Sequence, residues 1–258
     1  ISSLILKKKI IWHLHETKIN LFTKFIVKFL SLKKIKFIFS SKSCKKYYLS
    51  FINPYIYKVI NSGIKIKKHK KKNLYSKNKF KKIKIGIVSN INPDKNLLFF
   101  VKVAKYILKK NSNFEFFIFG KVWENQKKYY NIILSEISSE KKIKIIQNET
   151  DPDKIYKKFD IYFCSSKYES SPLSVWEAMN YKKIIFSSSV GDVPLYLKNN
   201  FNGFLFKKYN VEQVSKKLIK LTKKTYDMNK ISNAAYNTAI FNFNLTKIRK
   251  KILEFIFI

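Results

Sequence analysis

The stretch DIYFCSSKYESSPLSVWEAMNYKKIIFSSSVGDVPLYLKNNFNG, residues 160–203, decides the fold of this chain. Its apolar run Ile161–Cys164 has the length of a buried strand and is too short for a helix. A polar loop follows. Pro172 then opens a segment with helical spacing of apolar residues, and proline suits the first position of a helix. Ile184–Phe186 predicts a second strand. Strand, loop, helix and strand in this order predict a βαβ unit of a parallel sheet.

Two carboxylates flank the start of this predicted helix. Ligands of open parallel sheets bind beyond the carboxyl ends of the strands, and the free N–H groups of Leu173 and Ser174 favour an anion such as phosphate. Glu169 approaches from the loop, and Glu177 leans back because helical side chains tilt toward the N terminus. A sugar, a diphosphate and a ribose in line would fit this arrangement. On spacing alone, a capping Glu169 and an exposed Glu177 are the favoured interpretation.

Residues 169–179, ESSPLSVWEAM, resemble the Glu–seven residues–Glu signature of the retaining glycosyltransferases of family four, group 1 type, which have the GT-B fold. Val190–Pro194 and Asn202–Phe206 are similar to that family's next two landmarks. The resemblance implies that Glu169 holds hydroxyls of the donor sugar and that Glu177 holds the ribose. It further implies that the backbone of residues 171–174 takes the diphosphate. The substrate-binding residues implied here are Ser170, Ser171, Leu173, Ser174 and Glu177.

Residues 84–110 resemble the first unit of the family's C-terminal domain, in which an arginine and a lysine clamp the donor diphosphate. Lys95 matches the lysine, whereas Asn90 stands where the arginine is expected. This departure removes one positive charge from the expected phosphate site. The resemblance implies that Gly86, Ser89, Asn90 and Lys95 contact substrate; taken alone, Lys95 is more simply one of many surface lysines.

The segment WHLHE, residues 12–16, is similar to the strand of the family's N-terminal domain that ends in a histidine facing the cleft. His15 is the better match, so the implied catalytic set is Glu169, His15 and Lys95. His13 and His15 share one face of a strand, but no third ligand supports a metal site. A strand-end histidine with a structural hydrogen bond is the plain alternative for His15.

The net charge of +38 suggests an anionic partner, but only Arg249 among the 54 Lys and Arg residues is an arginine. Because phosphate and base recognition usually use the planar fork of arginine, we expect a solvated basic surface rather than a nucleic-acid interface. The pattern of Ile19–Leu32, with Phe22, Phe25 and Phe29, predicts an amphipathic helix whose apolar face packs on the core. Its lysines leave peripheral contact with an anionic membrane surface open.

Neither a signal peptide nor a membrane span is recognised in the sequence. Lys7–Lys9 interrupts the apolar start, and no apolar run reaches the roughly 18 residues of a spanning helix. Cys44 and Cys164 are too few for a disulfide framework or a zinc site. We therefore expect a cytoplasmic protein, with the inner face of the membrane as its place of peripheral contact.

The segment Asp151-Pro-Asp153 imitates the metal-binding Asp-x-Asp of other glycosyltransferases. It precedes a helical segment, where aspartates commonly cap the N terminus. Capping is the favoured interpretation, and we predict no metal.

The expected architecture is α/β of GT-B type, with two Rossmann-like parallel sheet domains. Residues 1–75 are predicted to be a partial N-terminal acceptor-side domain without its first strands, together with part of a basic solvated linker at Lys65–Lys82 that crosses the boundary. Residues 76–258 are predicted to be the complete nucleotide-sugar-binding domain. The five glycines fall at predicted turns or strand ends, with Gly86 at the start of a strand.

The resemblance implies a metal-independent hexosyltransferase of cell envelope polysaccharide biosynthesis. It would move a sugar from a nucleotide-sugar donor to a hydroxyl of a glycan or lipid-linked acceptor, with retention and without a further cofactor. Two alternatives stay open. One is a non-catalytic nucleotide-sugar-binding remnant, because of Asn90 and the absent strands; the other is a basic protein that binds nucleic acid or a membrane surface.

Overall fold

A computed structural model describes residues 10–33, 35–69, 75, 82–222 and 226–257 of the 258-residue chain. It contains two parallel sheets, and helices join the successive strands. The first sheet has the order β1-β2-β3 and the second the order β6-β5-β4-β7-β8-β9. The strands are β1 Ile11–Leu14, β2 Lys36–Phe39, β3 Ile56–Val59, β4 Ile83–Val88, β5 Phe114–Gly120, β6 Ile143–Gln147, β7 Ile161–Cys164, β8 Ile184–Ser188 and β9 Phe204–Phe206.

The helices follow the strands in the alternating order typical of α/β proteins. Two short 3-10 turns, Pro93–Lys95 and Glu124–Gln126, precede longer helices. The α-helices are α1 Leu21–Ser31, α2 Lys42–Tyr48, α3 Leu97–Lys110, α4 Lys127–Ile137, α5 Pro152–Lys157, α6 Leu173–Asn180, α7 Val193–Tyr196, α8 Val211–Leu221, α9 Met228–Phe243 and α10 Leu245–Phe257.

The second sheet is covered by helices on both faces, which explains its continuous apolar strands. All four residues of β7 are buried. Their side chains alternate between the two core clusters: Ile161 and Phe163 join one face, while Tyr162 and Cys164 join the other. This arrangement confirms the βαβ unit predicted from residues 160–203.

The strand order of the second sheet reverses beside β4. The chain runs from β4 outward to β5 and β6, then returns so that β7 pairs with the other side of β4. The loops after β4 and β7 therefore diverge at the carboxyl end of the sheet, and such a switch point is where open parallel sheets bind ligands.

The C-terminal helix α10 crosses back to the first sheet. Ile248 and Phe255 form a buried cluster with Ile38 and Ile60 of the first half of the chain. The Lys36 ammonium also donates to the carbonyl oxygen of Phe255 at 3.2 Å. The predicted division at residue 75 did not include this return of the chain.

The predicted solvated linker overlaps residues 70–74 and 76–81, which lie outside the described part of the chain. The described residues 65–69 contain no helix or strand, but they are not freely solvated as expected. The Lys67 N–H donates to the Asn180 side chain at 3.0 Å, and His69 Nε2 lies 2.6 Å from the Asn180 carbonyl oxygen. The Lys67 ammonium also pairs with Asp153. These partners hold the segment against α6 and offset the repulsion between its lysines.

Helix α1 forms as predicted, but the expected packing of its phenylalanines is wrong. Phe22, Phe25 and Phe29 are 73%, 71% and 53% exposed, whereas Val27 is fully buried. The reason is that apolar residues surround much of this helix, and the β-branched Val27 face is the one that meets the sheet. Among the described residues, no helix has both the length and the apolar content that crossing a bilayer requires.

Candidate functional site

A cavity of about 860 Å³ lies at the carboxyl ends of both sheets. Loops after strands of the first sheet contribute His15, Ser40 and Ser62. The loop after β1 also contributes Glu16, Thr17 and Lys18. The carboxyl end of the second sheet and the segments after its strands supply further lining residues, which include Ser89, Asn90, Lys95, Gly120, Lys121, Asn148, Glu169, Ser170, Ser171, Leu173, Ser174 and Glu177. The cavity therefore includes every residue of the predicted site except Gly86.

Gly86 lies in the middle of β4, not at its start as predicted. A Cβ atom at this position would overlap the aromatic ring of Phe159. The glycine allows the ring to pack flat on the sheet, and it is not among the residues that line the cavity. The expectation that Gly86 contacts substrate is therefore corrected.

Glu169 is held by two donors at the edge of the cavity. Its Oε1 accepts hydrogen bonds from the Lys95 ammonium at 2.7 Å and from the Ser166 hydroxyl at 2.8 Å. The side chains of Lys95 and Glu169 are 24% and 13% exposed, so this ion pair is largely shielded from water. Glu169 does not cap α6, since no side chain caps that helix. The carboxylate is oriented while its second oxygen remains available.

Glu177 faces the same cavity from the second turn of α6. Its Oε2 accepts a hydrogen bond from the Tyr156 hydroxyl at 2.7 Å, and Tyr156 is buried. Burial raises the pKa of Glu177 above its usual value, and the hydrogen bond from Tyr156 opposes that shift. The interpretation of Glu177 as an exposed helix residue is therefore wrong.

The helix between the two acids begins at Leu173, one residue later than predicted. Pro172 is its N-cap, and its carbonyl oxygen accepts from the Val175 N–H at 3.1 Å. The first N–H groups of a helix have no acceptor inside it. Those of Leu173 and Ser174 belong to residues that line the cavity, so an anion bound there has donors at hand.

The serine hydroxyls around this helix hold the loop in place. Trp176 Nε1 donates to the Ser171 hydroxyl at 3.0 Å, and the Tyr162 hydroxyl donates to that of Ser174 at 2.7 Å. The Ser170 hydroxyl lies 2.5 Å from that of Ser41 in the first half of the chain. Since these side chains are already engaged, the backbone N–H groups of the loop and of the helix start are the part free to bind a ligand.

The turn after β8 packs against the same loop and donates a hydrogen bond to it. Gly191 has φ +51°, and a Cβ there would overlap the carbonyl oxygen of Ser170. The Asp192 N–H donates to that oxygen at 2.9 Å. The Asp192 carboxylate accepts from the N–H groups of Lys42 and Ser43, each at 2.8 Å, and from the Ser43 hydroxyl at 2.6 Å. This buried carboxylate joins the N terminus of α2 to the loop that carries Glu169.

Sequence reasoning did not find Asp192, Tyr156 or Ser166. Ser166 stands three residues before Glu169 in a polar loop, which is a weak local signal. Tyr156 and Asp192 reach partners 21 and 150 residues away along the chain, and no local pattern indicates such contacts.

His15 lies in the cavity lining, and His13 packs beside it with ring centroids 4.1 Å apart. Burial, with a smaller contribution from His15, lowers the pKa of His13 to about 4. The His13 Nε2 atom is buried without a hydrogen-bond partner. Across the described ranges, no three His, Cys, Asp or Glu side chains converge as metal ligands would.

Asp151 caps α5, which confirms the capping prediction. Its side chain accepts from the Asp153 N–H at 2.8 Å. Asp153 in turn accepts from the Tyr181 hydroxyl at 2.6 Å and pairs with Lys67. Both carboxylates are therefore engaged in structural contacts.

Asn90, at the position of the expected arginine, is exposed and lines the cavity. Positive charge reaches the cavity from Lys18, Lys95 and Lys121. Lys18 also lies 3.6 Å from the Asp94 carboxylate, and Lys121 lies 4.2 Å from the centroid of the Trp123 ring. Five carboxylates also line the cavity, those of Glu16, Asp94, Glu149, Glu169 and Glu177. An anion bound there would therefore depend on local donors, the lysine ammonium groups and the first N–H groups of α6, and not on a net positive charge of the lining.

Comparisons with known proteins show similarity to glycosyltransferases. A family model described as "Glycosyl transferases group 1" matches residues 67–238. The UDP-Gal:alpha-D-GlcNAc-diphosphoundecaprenol alpha-1,3-galactosyltransferase of Escherichia coli is 26% identical over 172 residues, which are 65% of this chain and 43% of that protein. The poly(ribitol-phosphate) alpha-N-acetylglucosaminyltransferase of Staphylococcus aureus (strain COL) is 23% identical over 171 residues, or 66% of this chain and 34% of that protein. The aligned part thus spans less than half of either relative.

The crystal structure of Anabaena Alr3699/HepE in complex with UDP and glucose is similar over the whole chain. The TM-score is 0.86 at 17% identity, covering 98% of this chain and 72% of that one. This likeness confirms the predicted α/β fold of GT-B type.

Proposed function

The chain belongs to the glycosyl transferases group 1 family, and from this premise we propose that it transfers a hexosyl group from a nucleotide-sugar donor to an acceptor hydroxyl. The observation that carries the proposal is the pair of acids, Glu169 and Glu177, on either side of the α6 N terminus in one cavity. An anion-binding helix end between two hydrogen-bond acceptors matches a diphosphate flanked by two hydroxyl-bearing sugars.

We assign one part of the donor to each group. The free N–H groups at the start of α6 take the diphosphate, the Glu177 carboxylate accepts from the ribose hydroxyls, and Glu169 accepts from the transferred sugar. Lys95, 2.7 Å from Glu169, places positive charge beside the bond that breaks. The rate gain then comes from positioning and from stabilising the charge on the leaving diphosphate. From the family resemblance we also propose that the transferred sugar keeps its configuration at the anomeric carbon. On the same ground we propose that His15 acts at the acceptor side.

Metal-independent transfer is part of the proposal. The Asp-x-Asp carboxylates are engaged by α5, Tyr181 and Lys67. Lysines and helix donors supply the positive charge that a divalent cation would otherwise bring to a diphosphate. Addition of a chelator should leave the transfer rate unchanged.

We further propose that the acceptor is a glycan or a lipid-linked glycan, and that it binds in the part of the cavity lined by the first sheet. The name of the Escherichia coli relative includes a diphosphoundecaprenol-linked acceptor. The first sheet, which contributes His15, Ser40 and Ser62 to the cavity, is the acceptor side in this proposal.

The test is a thermal-shift screen against a panel of nucleotide sugars and free nucleoside diphosphates. A ligand that binds only the folded state raises the unfolding midpoint. We expect one donor class to raise the midpoint and Glu177→Ala to abolish the shift. A panel that raises no midpoint would contradict the proposed donor site.

The departure at Asn90 favours a second candidate, a protein that binds nucleotide sugar without turnover. Asn90→Arg should restore the expected charge to the cavity and strengthen donor binding by about 1–3 kcal/mol. Asn131→Arg adds the same charge on an exposed position of α4 and serves as the control. Donor binding by the wild type with product formed only by Asn90→Arg would establish the second candidate; product formed by the wild type would exclude it.

A further inference from the structure

Tyr156 of helix α5 is a buried tyrosine whose ring is fixed by its neighbours. The residue is 1% exposed. Its ring stacks on that of Tyr181, with centroids 4.8 Å apart and planes inclined by 21°, and meets the Phe159 ring edge-on at 5.8 Å. A phenylalanine would fill the same space, so packing alone does not account for the hydroxyl. Because a buried hydroxyl is costly without a hydrogen-bond partner, the partner is the informative contact.

The Tyr156 hydroxyl has two acceptor oxygens within reach and a single proton. Glu177 Oε2 lies 2.7 Å away, and the carbonyl oxygen of Ser174 lies 3.3 Å away. Hydrogen bonds to a charged acceptor are shorter and stronger than those to a neutral one. The proton is therefore directed to the carboxylate. Burial, together with the charge of Glu177, raises the pKa of Tyr156 well above its usual value, so the hydroxyl remains a donor at neutral pH.

The Glu177 carboxylate depends on this single donor. Among the residues that the structure describes, it has no ion pair, and Tyr156 is its one hydrogen-bond donor. Glu169, by contrast, is held by both Lys95 and Ser166. Burial disfavours the charged form of Glu177 and raises its pKa, and the hydrogen bond from Tyr156 opposes that shift. The orientation and the charge of Glu177 thus rest on the same hydroxyl.

The other titratable groups around Glu177 do not replace this donor. Burial is the main cause of the raised pKa values of Tyr162 and Tyr181, so both phenols stay neutral at neutral pH. Their hydroxyls donate elsewhere, to the Ser174 hydroxyl at 2.7 Å and to Asp153 at 2.6 Å. The charged side chains from the loops after the neighbouring strands that line the same cavity are Asp94, Lys121, Glu149 and the ion pair of Lys95 with Glu169.

We propose that Tyr156 is a positioning residue for recognition of the donor ribose: its hydroxyl holds one oxygen of the Glu177 carboxylate and leaves the other free for the ribose hydroxyls. The inference rests on the proposed function, in which Glu177 accepts from the ribose. A nucleotide without the 2′-hydroxyl offers Glu177 one donor fewer, so the oriented carboxylate favours ribose over 2′-deoxyribose. Protonation of Glu177 removes part of its capacity to accept, and this preference then weakens.

The experiment is calorimetric titration of the wild type and Tyr156→Phe with uridine, adenosine and guanosine diphosphates and with the 2′-deoxy form of each. Near neutral pH, Tyr156→Phe should bind the ribonucleotide about tenfold more weakly and lose less affinity for the 2′-deoxy form. The affinity should fall as pH falls, and in Tyr156→Phe this fall should begin at a higher pH, because the carboxylate has lost the donor that favours its charge. Protonation of the nucleotide is the same for both proteins, so the difference isolates Glu177.

Tyr181→Phe is the matched control. It removes a tyrosine hydroxyl that also donates to a carboxylate, that of Asp153, but this hydroxyl does not contact Glu177. We expect the control to keep the wild-type affinity, ribose preference and pH profile, whatever its thermal midpoint. A double-mutant cycle guards against a folding defect: in a Glu177→Gln background, Tyr156→Phe should weaken ribonucleotide binding no further. An equal loss in both backgrounds would show a general effect on packing and would overturn the proposal.

The titration of Glu177 itself is measured without nucleotide, through the carboxyl-carbon NMR resonance that Glu177→Gln removes. Tyr156→Phe should move the midpoint of this titration to higher pH. An unmoved midpoint, in a protein whose wild type binds a ribonucleotide, would overturn the positioning role and leave the proposed function in place. A wild type that binds none of the nucleotides would overturn the proposed donor site and this inference with it.

Discussion

Glu169 is a charged residue that is both largely buried and available to a ligand in the cavity. The carboxylate is largely buried, which is costly for a charge, and it is retained because Lys95 and Ser166 both donate to the same oxygen. The side chain therefore has one fixed orientation. In the proposed mechanism its free oxygen meets the transferred sugar without further reorganisation.

We predict that Glu169→Gln lowers the transfer rate by at least about a hundredfold while donor binding persists. The amide keeps the shape but replaces the charge beside Lys95. Glu136→Gln is the control, because Glu136 pairs with Lys105 at 3.2 Å and is absent from the cavity lining. Transfer by Glu169→Gln at the wild-type rate, with both proteins folded, would contradict the assigned role.

The raised pKa of Glu177 leads us to predict that the stability of the protein depends on pH. Its pKa is raised in the folded state, chiefly by burial, so the folded protein binds this proton more tightly than the unfolded chain. The contribution of Glu177 to stability is thus largest at acidic pH and falls as pH rises above its ordinary pKa, until the folded-state pKa is passed. Glu177→Gln removes this loss, so the variant should gain stability relative to the wild type from acidic toward neutral pH.

The measurement is the thermal midpoint of both proteins as a function of pH. Only their difference is diagnostic, because His13, whose pKa is lowered to about 4, makes the wild type less stable as pH falls below about 6.5. Glu124→Gln, a change at an exposed glutamate, should follow the wild type. Parallel curves for Glu177→Gln and the wild type would show that burial does not penalise this charge.

At the scale of elements, the loop after β7 and helix α2 form one unit although they belong to different sheets. Asp192 acts like a capping residue supplied from outside α2, since its carboxylate accepts from two N–H groups of the first turn. The contact between the Ser41 and Ser170 hydroxyls also joins the start of α2 to this loop. The orientation of the Glu169 loop therefore depends on a helix far from it along the chain.

We predict that Asp192→Ala lowers the free energy of unfolding by about 1–3 kcal/mol, because it removes a buried carboxylate and leaves the part-buried donors of Lys42 and Ser43 without this acceptor. For a chain of this size that corresponds to roughly 2–4 °C per kcal/mol in the midpoint. Asp192→Asn keeps an acceptor oxygen and should recover part of the loss. Asp192→Ala should also weaken donor binding, because the Glu169 loop loses its link to α2, whereas Asp227→Ala, which removes an exposed cap of α9, should leave the donor affinity unchanged. Equal donor affinities in the two variants would contradict the role of Asp192 in the site.

Elements with a long apolar period were predictable from sequence. Helix α3, Leu97–Lys110, has apolar residues at helical spacing, and strand β5, Phe114–Gly120, is a nearly continuous apolar run, so a local pattern suffices to predict each of them. Helix α7 and strand β9, with four and three residues, are too short to show a period and were not predicted.

The candidate site was predictable where it follows a local motif. Residues 169–177 carry such a motif, and the structure brings residues 169–174 and Glu177 into one cavity with Lys95 and His15. Contacts made by Tyr156 and Asp192 depend on the register of distant strands, which sequence patterns do not define. The packing of α1 was mistaken for a related reason: an amphipathic pattern shows that two sides differ but does not show which side meets the sheet.

At the scale of the whole molecule, the two halves are joined by α10 as well as by Asp192. Phe255 is 7% exposed and packs with Ile38 and Ile60. We predict that Phe255→Ala costs about 3–5 kcal/mol and increases amide hydrogen exchange in β2 more than in β4 or β7. Leu253→Ala, on an exposed position of the same helix, should change neither. Uniformly faster exchange across both sheets would show that the halves unfold only together.

The return of α10 to the first sheet also constrains the order in which a newly made chain can fold. Ile38 leaves the ribosome 217 residues before Phe255, its partner in the same cluster. At the usual pace of synthesis this is a delay of roughly 10–40 s. During that interval one side of the early sheet faces water, and a nascent chain is then a natural substrate for chaperones that cover apolar surface.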